Sequence, residues 1–241
     1  MGGQPWRANV KKLIGAAIVL IFLVALPAIA NADSMTFTAS GTNATGHPYD
    51  VEIEIVTTST TATITINNLV GTINHHDQAI SSVVVDFGTA PTSSSLQSNA
   101  TAAALVTCAA QNVACTYGAA PTGTTFGWFA SNSGTTLRLC AGGAACNLQN
   151  DEIVGGAVLP QDQAIINMGP ELEGPVTFNI SLNGLSSAPS IGTPGFTLGS
   201  DATLIQTTPT GATPEPGSLC LLGSGLLGLA AILRRRRVEV N

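Results

Sequence analysis

Residues 33–206 predict an all-β body, an antiparallel β-sandwich of jelly-roll-like character, between an N-terminal signal peptide and a single C-terminal transmembrane helix. Three observations carry the β prediction. Residues 49–56, 61–66 and 176–182 alternate aliphatic with polar side chains, the period-two pattern of strands with one face buried. Gly, Pro and Asn punctuate them at Asn67-Asn68, Gly88, Pro91, Pro121, Gly123 and Asn183-Gly184. No helical periodicity persists in the body, and residues 97–106 come nearest to one.

Taken in order, the chain opens with a basic region, Arg7, Lys11 and Lys12, followed by an apolar run over 13–26. Small residues at Ala30 and Ala32 sit at cleavage spacing, so 1–32 reads as a signal peptide cut by signal peptidase between Ala32 and Asp33, with a cut after Ala30 as the second choice. Strands are then expected over 35–39, 49–56, 61–66, 80–87, 125–129, 135–139, 176–182 and 202–206. Asn183-Gly184 suits a type I′ hairpin turn, since both residues tolerate positive φ. The strand spacing has no fixed period, which argues against a propeller or β-helix. Residues 207–213, rich in Thr, Pro and Gly, read as a linker to the tail.

Between residues 33 and 213 stand twelve carboxylic acids and one basic side chain other than histidine, Arg138. That body carries about −11, against −6 for the whole chain. Such a charge repels nucleic acid and anionic membrane surfaces, so nucleic acid is excluded as a partner.

Five cysteines divide into four in the body and Cys220 in the apolar tail. An even number in an exported domain points to two disulfides. Pairing within each short loop, Cys108 with Cys115 and Cys140 with Cys146, is the simplest of three connectivities. A four-thiolate metal site is disfavoured, because the spacings lack C-x-x-C and the compartment is oxidising.

No catalytic signature emerges: G-x-S-x-G, H-E-x-x-H and the Walker loop are all absent. No cofactor, no metal and no catalytic residue are expected. Gly223-Ser224-Gly225-Leu226-Leu227-Gly228 matches G-x-G-x-x-G, but it lies outside any βαβ unit. His75-His76-Asp77 falls between strands and reads as a solvated loop, with His47 exposed in a turn. Asp50, Glu52 and Glu54 share one strand face as a solvated row, not a converging calcium site. Glu171 and Glu173 would form a glycosidase-like pair with Asp151-Glu152 only if the fold united them. On a strand, Phe126 and Trp128 would share one face, making them the candidate glycan-stacking pair of a carbohydrate-binding alternative. Thr61-x-Thr63-x-Thr65 prompts an ice-binding alternative, but the ladder does not recur at constant spacing.

The tail is the most specific signal in the chain. Pro214-Glu215-Pro216 precedes an apolar, Gly-spotted run read as a membrane helix over 218–233, and Arg234, Arg235, Arg236 and Arg237 close it. The run spans roughly 22 Å at about 1.5 Å per residue, and the arginines extend its reach by snorkelling. Their charge keeps that end cytoplasmic, consistent with a body exported by the signal peptide.

These three parts in fixed order, over 214–237, resemble the PEP-CTERM sorting signal of bacterial surface proteins. Thr213 departs from the aliphatic residue more usual there. The resemblance implies recognition of Pro214, Glu215 and Pro216 by an exosortase, a membrane-embedded cysteine enzyme that removes the tail. It also implies anchoring in the inner membrane before processing, then cell-surface or extracellular residence in a biofilm matrix, with exopolysaccharide as a candidate partner.

Overall fold

The computed structural model of the 241-residue chain describes residues 33–212, apart from 121, 144–145, 147–150 and 168–169. The signal peptide, the sorting residues Pro214–Pro216, the membrane helix and the four arginines lie outside the described residues.

Seventeen short strands and almost no helix are described. They are β1 (Asp33–Thr42), β2 (Pro48–Thr57), β3 (Thr61–Asn68), β4 (Thr72–Ile73), β5 (Ile80–Asp86) and β6 (Ser93–Leu96). Next come β7 (Ala104–Thr107), β8 (Thr116–Gly118), β9 (Phe129–Ser133), β10 (Thr136–Cys140), β11 (Ile153–Val154) and β12 (Ala157–Val158). The last are β13 (Glu171–Glu173), β14 (Val176–Asn183), β15 (Gly195–Leu198), β16 (Ile205–Gln206) and β17 (Thr208–Ala212). One 3-10 turn, His76–Gln78, and one short helix, α1 (Gln163–Asn167), interrupt them.

The first sheet has the order β17-β1-β2-β3-β14-β6 and is antiparallel throughout. Its alternation is the one visible in sequence. Val51, Ile53 and Ile55 of β2, Ala62, Ile64 and Ile66 of β3, and Val176, Phe178 and Ile180 of β14 are all buried. The intervening Glu52, Glu54, Thr63, Thr65, Thr177 and Asn179 form the outer face, where Thr63 donates to Asn179 and the Thr65 and Thr177 hydroxyls meet at 3.1 Å.

The second sheet runs β16-β15-β5-β11-β13-β7-β8, and β10 with β9 extends from the other part of β5. It is antiparallel except where β11 pairs β13 in parallel. Val83, Val85, Leu137, Leu139, Ile153, Leu172 and Phe196 of this sheet share one buried cluster with the aliphatics of the first. The two sheets are therefore layers over a common core, as in a sandwich. The strand order departs from a jelly roll: β1, β2 and β3 are consecutive neighbours, because short turns join them as a meander instead of alternating between sheets.

A second, smaller cluster of Val70, Ile73, Val106, Val154, Val158 and Ile165 involves the two-stranded β4–β12 pair and α1. It covers part of the second sheet from outside, so β11 has apolar contacts on both faces. That geometry creates the site described below.

Three expectations are corrected. Of the expected linker, residues 208–212 instead form β17, paired to β1 from Met35↔Ala212 to Thr38↔Thr208, and Thr213 lies outside the described residues. Asn183-Gly184 does not close a hairpin: β14 pairs β3 and β6, and the chain next enters a strand of the other sheet, β15. Residues 125–128 form a turn in place of a strand, with Trp128 N–H donating to Thr125 O at 2.9 Å. Positive φ at Phe126 (51°) and Gly127 (70°) drives that turn.

Candidate functional site

Parallel pairing of β11 with β13 sets Ile153 opposite Leu172, and Leu172 N–H donates to Glu152 O at 2.8 Å. Ile153 and Leu172 face the common core, so strand alternation turns Glu152 and Glu171 to the opposite face, the one the smaller cluster covers. Both carboxyl groups are shut off from solvent, at 0 % and 1 % exposure; Glu171 Oε2 has no hydrogen-bond partner, and Glu152 Oε2 has His76 Nε2 at 3.1 Å but not in line for a hydrogen bond. Burial pushes both well above the ordinary carboxylate range. For Glu171 the neighbouring Glu152 and Asp151 push the same way, while a hydrogen bond with the Glu152 backbone opposes them. Asp151 is itself raised to about 6 by burial.

His76 completes the buried group, with Nε2 3.2 Å from Glu152 Oε1. The sequence-based view of residues 75–77 as a solvated loop fails here, because His76 is only 7 % exposed. The cause is the 3-10 turn, which packs against the second sheet: Gly199 N–H donates to Ala79 O, just beyond the turn. Burial lowers the His76 pKa, and Asp162 and Asp77 only partly oppose it. Imidazole and carboxyl groups are thus both biased toward their neutral forms.

From His76 a row of titratable groups leads outward. Asp162 Oδ2 accepts from His76 N–H at 3.1 Å and lies 3.5 Å from His75 Nδ1. The His75 ring stacks on His47, with centroids 3.8 Å apart and planes 7° from parallel. His47 Nδ1 is 2.8 Å from Asp77 Oδ1, so His47 is partly buried and paired, not free in a turn. Burial disfavours the Asp77 charge, but hydrogen bonds with Thr45 and His47 and the charges of His47 and His75 outweigh it, leaving Asp77 below its usual range. Asn43 fixes this end, donating from Nδ2 to Asp77 O at 2.8 Å and accepting from His47 N–H at 2.8 Å. All three histidines of the chain therefore stand in one row, which sequence spacing did not reveal.

A pocket of about 240 Å³ opens at the Asp77 end, with Tyr49, Leu198 and Ile205 as its apolar wall and Asn43, Thr45 and Asp201 among its polar residues. Glu152 and Glu171 do not line it. The fold thus brings together the carboxyl pair that glycoside hydrolysis would need, but on a closed face. Among the described residues no group of three or more His, Cys, Asp or Glu side chains is placed to hold a metal.

Asn68 is a residue that sequence reading passed over as a turn signal. It is buried, donates to Gln78 O at 2.8 Å and Ile153 O at 3.2 Å, and accepts from Val70 N–H at 3.2 Å. It therefore ties the end of β3 to both β11 and the 3-10 turn. Only its place at a strand end beside Asn67 marked it.

The candidate glycan-stacking pair is also corrected. Phe126 and Trp128 are 5 % and 3 % exposed and belong to the common core, where Trp128 packs on Phe178 with ring centroids 4.9 Å apart. Trp128 Nε1 donates to Asp151 O at 2.6 Å, satisfying the indole in the interior. The glycan-binding alternative loses its platform. The cysteines do pair within each short loop, Cys108 with Cys115 and Cys140 with Cys146.

The chain carries a PEP-CTERM protein-sorting motif, matched over residues 212–237. It is thereby marked as an exported protein sorted by an exosortase through a membrane-anchored C-terminal signal. No curated protein and no solved structure matches the chain.

Proposed function

We propose that this chain is a non-catalytic cell-surface or exopolysaccharide-matrix protein, delivered by signal peptidase and then trimmed by an exosortase. The observation that carries this reading is the sorting motif over 212–237. Its three tail elements have separate tasks. Pro214-Glu215-Pro216 is read by the enzyme, the apolar run over 218–233 halts in the bilayer, and the four arginines hold its end in the cytoplasm.

The body supports a matrix role in two respects. Its outer sheet face is hydroxyl- and amide-rich, and two disulfides suit an extracellular setting. Its buried carboxyl pair offers no access to a substrate.

Intact-mass spectrometry of the protein recovered outside the cell tests this reading. Loss of everything beyond the region of Pro216 is expected. A secreted form retaining the arginine tail would overturn the sorting step, and glycan turnover by the purified body would overturn the non-catalytic one.

A further inference from the structure

The sorting motif begins at Ala212, which is also the last residue of β17. β17 stands at the edge of the first sheet and has β1 as its single neighbour. Three features weaken its hold. Thr208, Pro209 and Thr210 are exposed, so none of them contributes to the core. Pro209 has no N–H to donate, and the pairing register shifts between Thr36 and Phe37. Beyond the backbone ladder, two hydroxyls hold it: Thr208 donates to Thr38 O at 3.2 Å and Thr210 to Thr36 O at 3.1 Å.

Thr207, one residue earlier, is the opposite case. It is 3 % exposed, and both its N–H and its hydroxyl donate to Pro194 O, at 3.1 and 2.7 Å. Firm attachment ends there. Segments without buried side chains open locally at far lower cost than the whole domain.

Reach makes the difference consequential. With β17 docked, Pro214 is two residues past the end of the strand in sequence, a reach of at most about 7 Å. With β17 released, Pro214 lies seven residues past Thr207, a reach of about 23 Å of extended chain. The longer reach lets the motif approach a bilayer-embedded enzyme without bringing the folded body against the membrane.

We propose that β17 is a releasable strap, which leaves β1 to hand the sorting motif to the processing enzyme, with Thr207 as its fixed end. The proposal rests on the reading that an exosortase removes the tail. After cleavage the shortened end re-pairs with β1 and forms the edge strand again.

Introducing Thr36→Cys and Gly211→Cys together, at residues that face each other across the β1–β17 pair, would lock the strap by a disulfide. In a bacterium that trims the wild-type chain, the locked variant is expected to keep its tail, with trimming reduced at least tenfold. Each single-cysteine variant is trimmed normally. A six-residue Gly/Ser insertion after Ala212 in the locked variant restores trimming, which also reports that the locked body folds. Trimming of the locked variant at the wild-type rate would overturn the strap, and so would failure of the insertion to restore it. A wild-type chain that keeps its tail would instead sink the sorting reading itself.

Discussion

His76 Nε2 lies 3.2 Å from Glu152 Oε1, and both side chains are withdrawn from solvent. The contact joins a histidine depressed by burial to a carboxyl raised by burial, so the interior of this acidic body is kept without net charge there.

Stability follows pH with opposite signs for the two partners. Glu152 and Glu171 hold protons in the folded state that the unfolded chain gives up above about 4.5. Their contribution is complete below that pH and is lost as pH rises through their raised folded values. His76 contributes above 6.5 and loses its share as pH falls through its lowered folded value. Glu171→Gln is expected to flatten the alkaline limb, with each unit of removed shift worth about 1.4 kcal/mol. Urea melts of both forms between pH 4 and 9 check this, and parallel curves would contradict it.

Trp128 is the only tryptophan left once residues 1–32 are removed, so its fluorescence reports the core directly. Blue-shifted emission that resists acrylamide quenching is expected for its 3 % exposure. Trp128→Ala is expected to cost about 3–5 kcal/mol, as for other buried aromatics. A denaturant titration showing a loss below about 1 kcal/mol would place the ring at the surface.

The two disulfides close loops of similar length, with sequence separations of 7 and 6. Replacing either pair by serine is expected to remove about 2–2.5 kcal/mol by loop-closure entropy. Non-reducing peptide mapping should recover Cys108 with Cys115 and Cys140 with Cys146. Any cross-linked peptide joining the two loops would refute the pairing.

Gly155 follows β11 directly, and a Cβ there would overlap the carbonyl oxygen of Asn68. The β3 end and the β11 end meet at this point, backbone against backbone. Gly155→Ala is expected to destabilise by at least about 2 kcal/mol, in the range of overpacked cores. Asn68→Ala would cost a similar amount by stranding two buried carbonyls. Thermal melts of the two variants near that of the wild type would show that this junction is loose.

The first sheet was legible in the sequence because its outer face meets water. β2, β3 and β14 bury one side each, so their alternation is written into the residue order. In the second sheet β5, expected over 80–87, is found at Ile80–Asp86, but it is buried from Ile80 through Val83, with Ser81 and Ser82 hidden against Thr197, so no alternation showed which face it buries. β17 escaped notice for the reverse reason: its Thr-Pro-Thr-Gly stretch, with no buried side chain among 208–210, has no hydrophobic pattern to find.

The residue order by itself determined the address of this protein, its acidic charge, its three clearest strands and the simplest pairing of its cysteines. Those features depend on local spacing and composition, which a linear chain carries directly. Only the tertiary structure decided that Glu152 meets Glu171, that three histidines separated by up to 29 positions form one row, and that Phe126 and Trp128 are interior. Each of these depends on which strands pair and which face is covered, and burial biases His76, Glu152 and Glu171 toward their neutral forms.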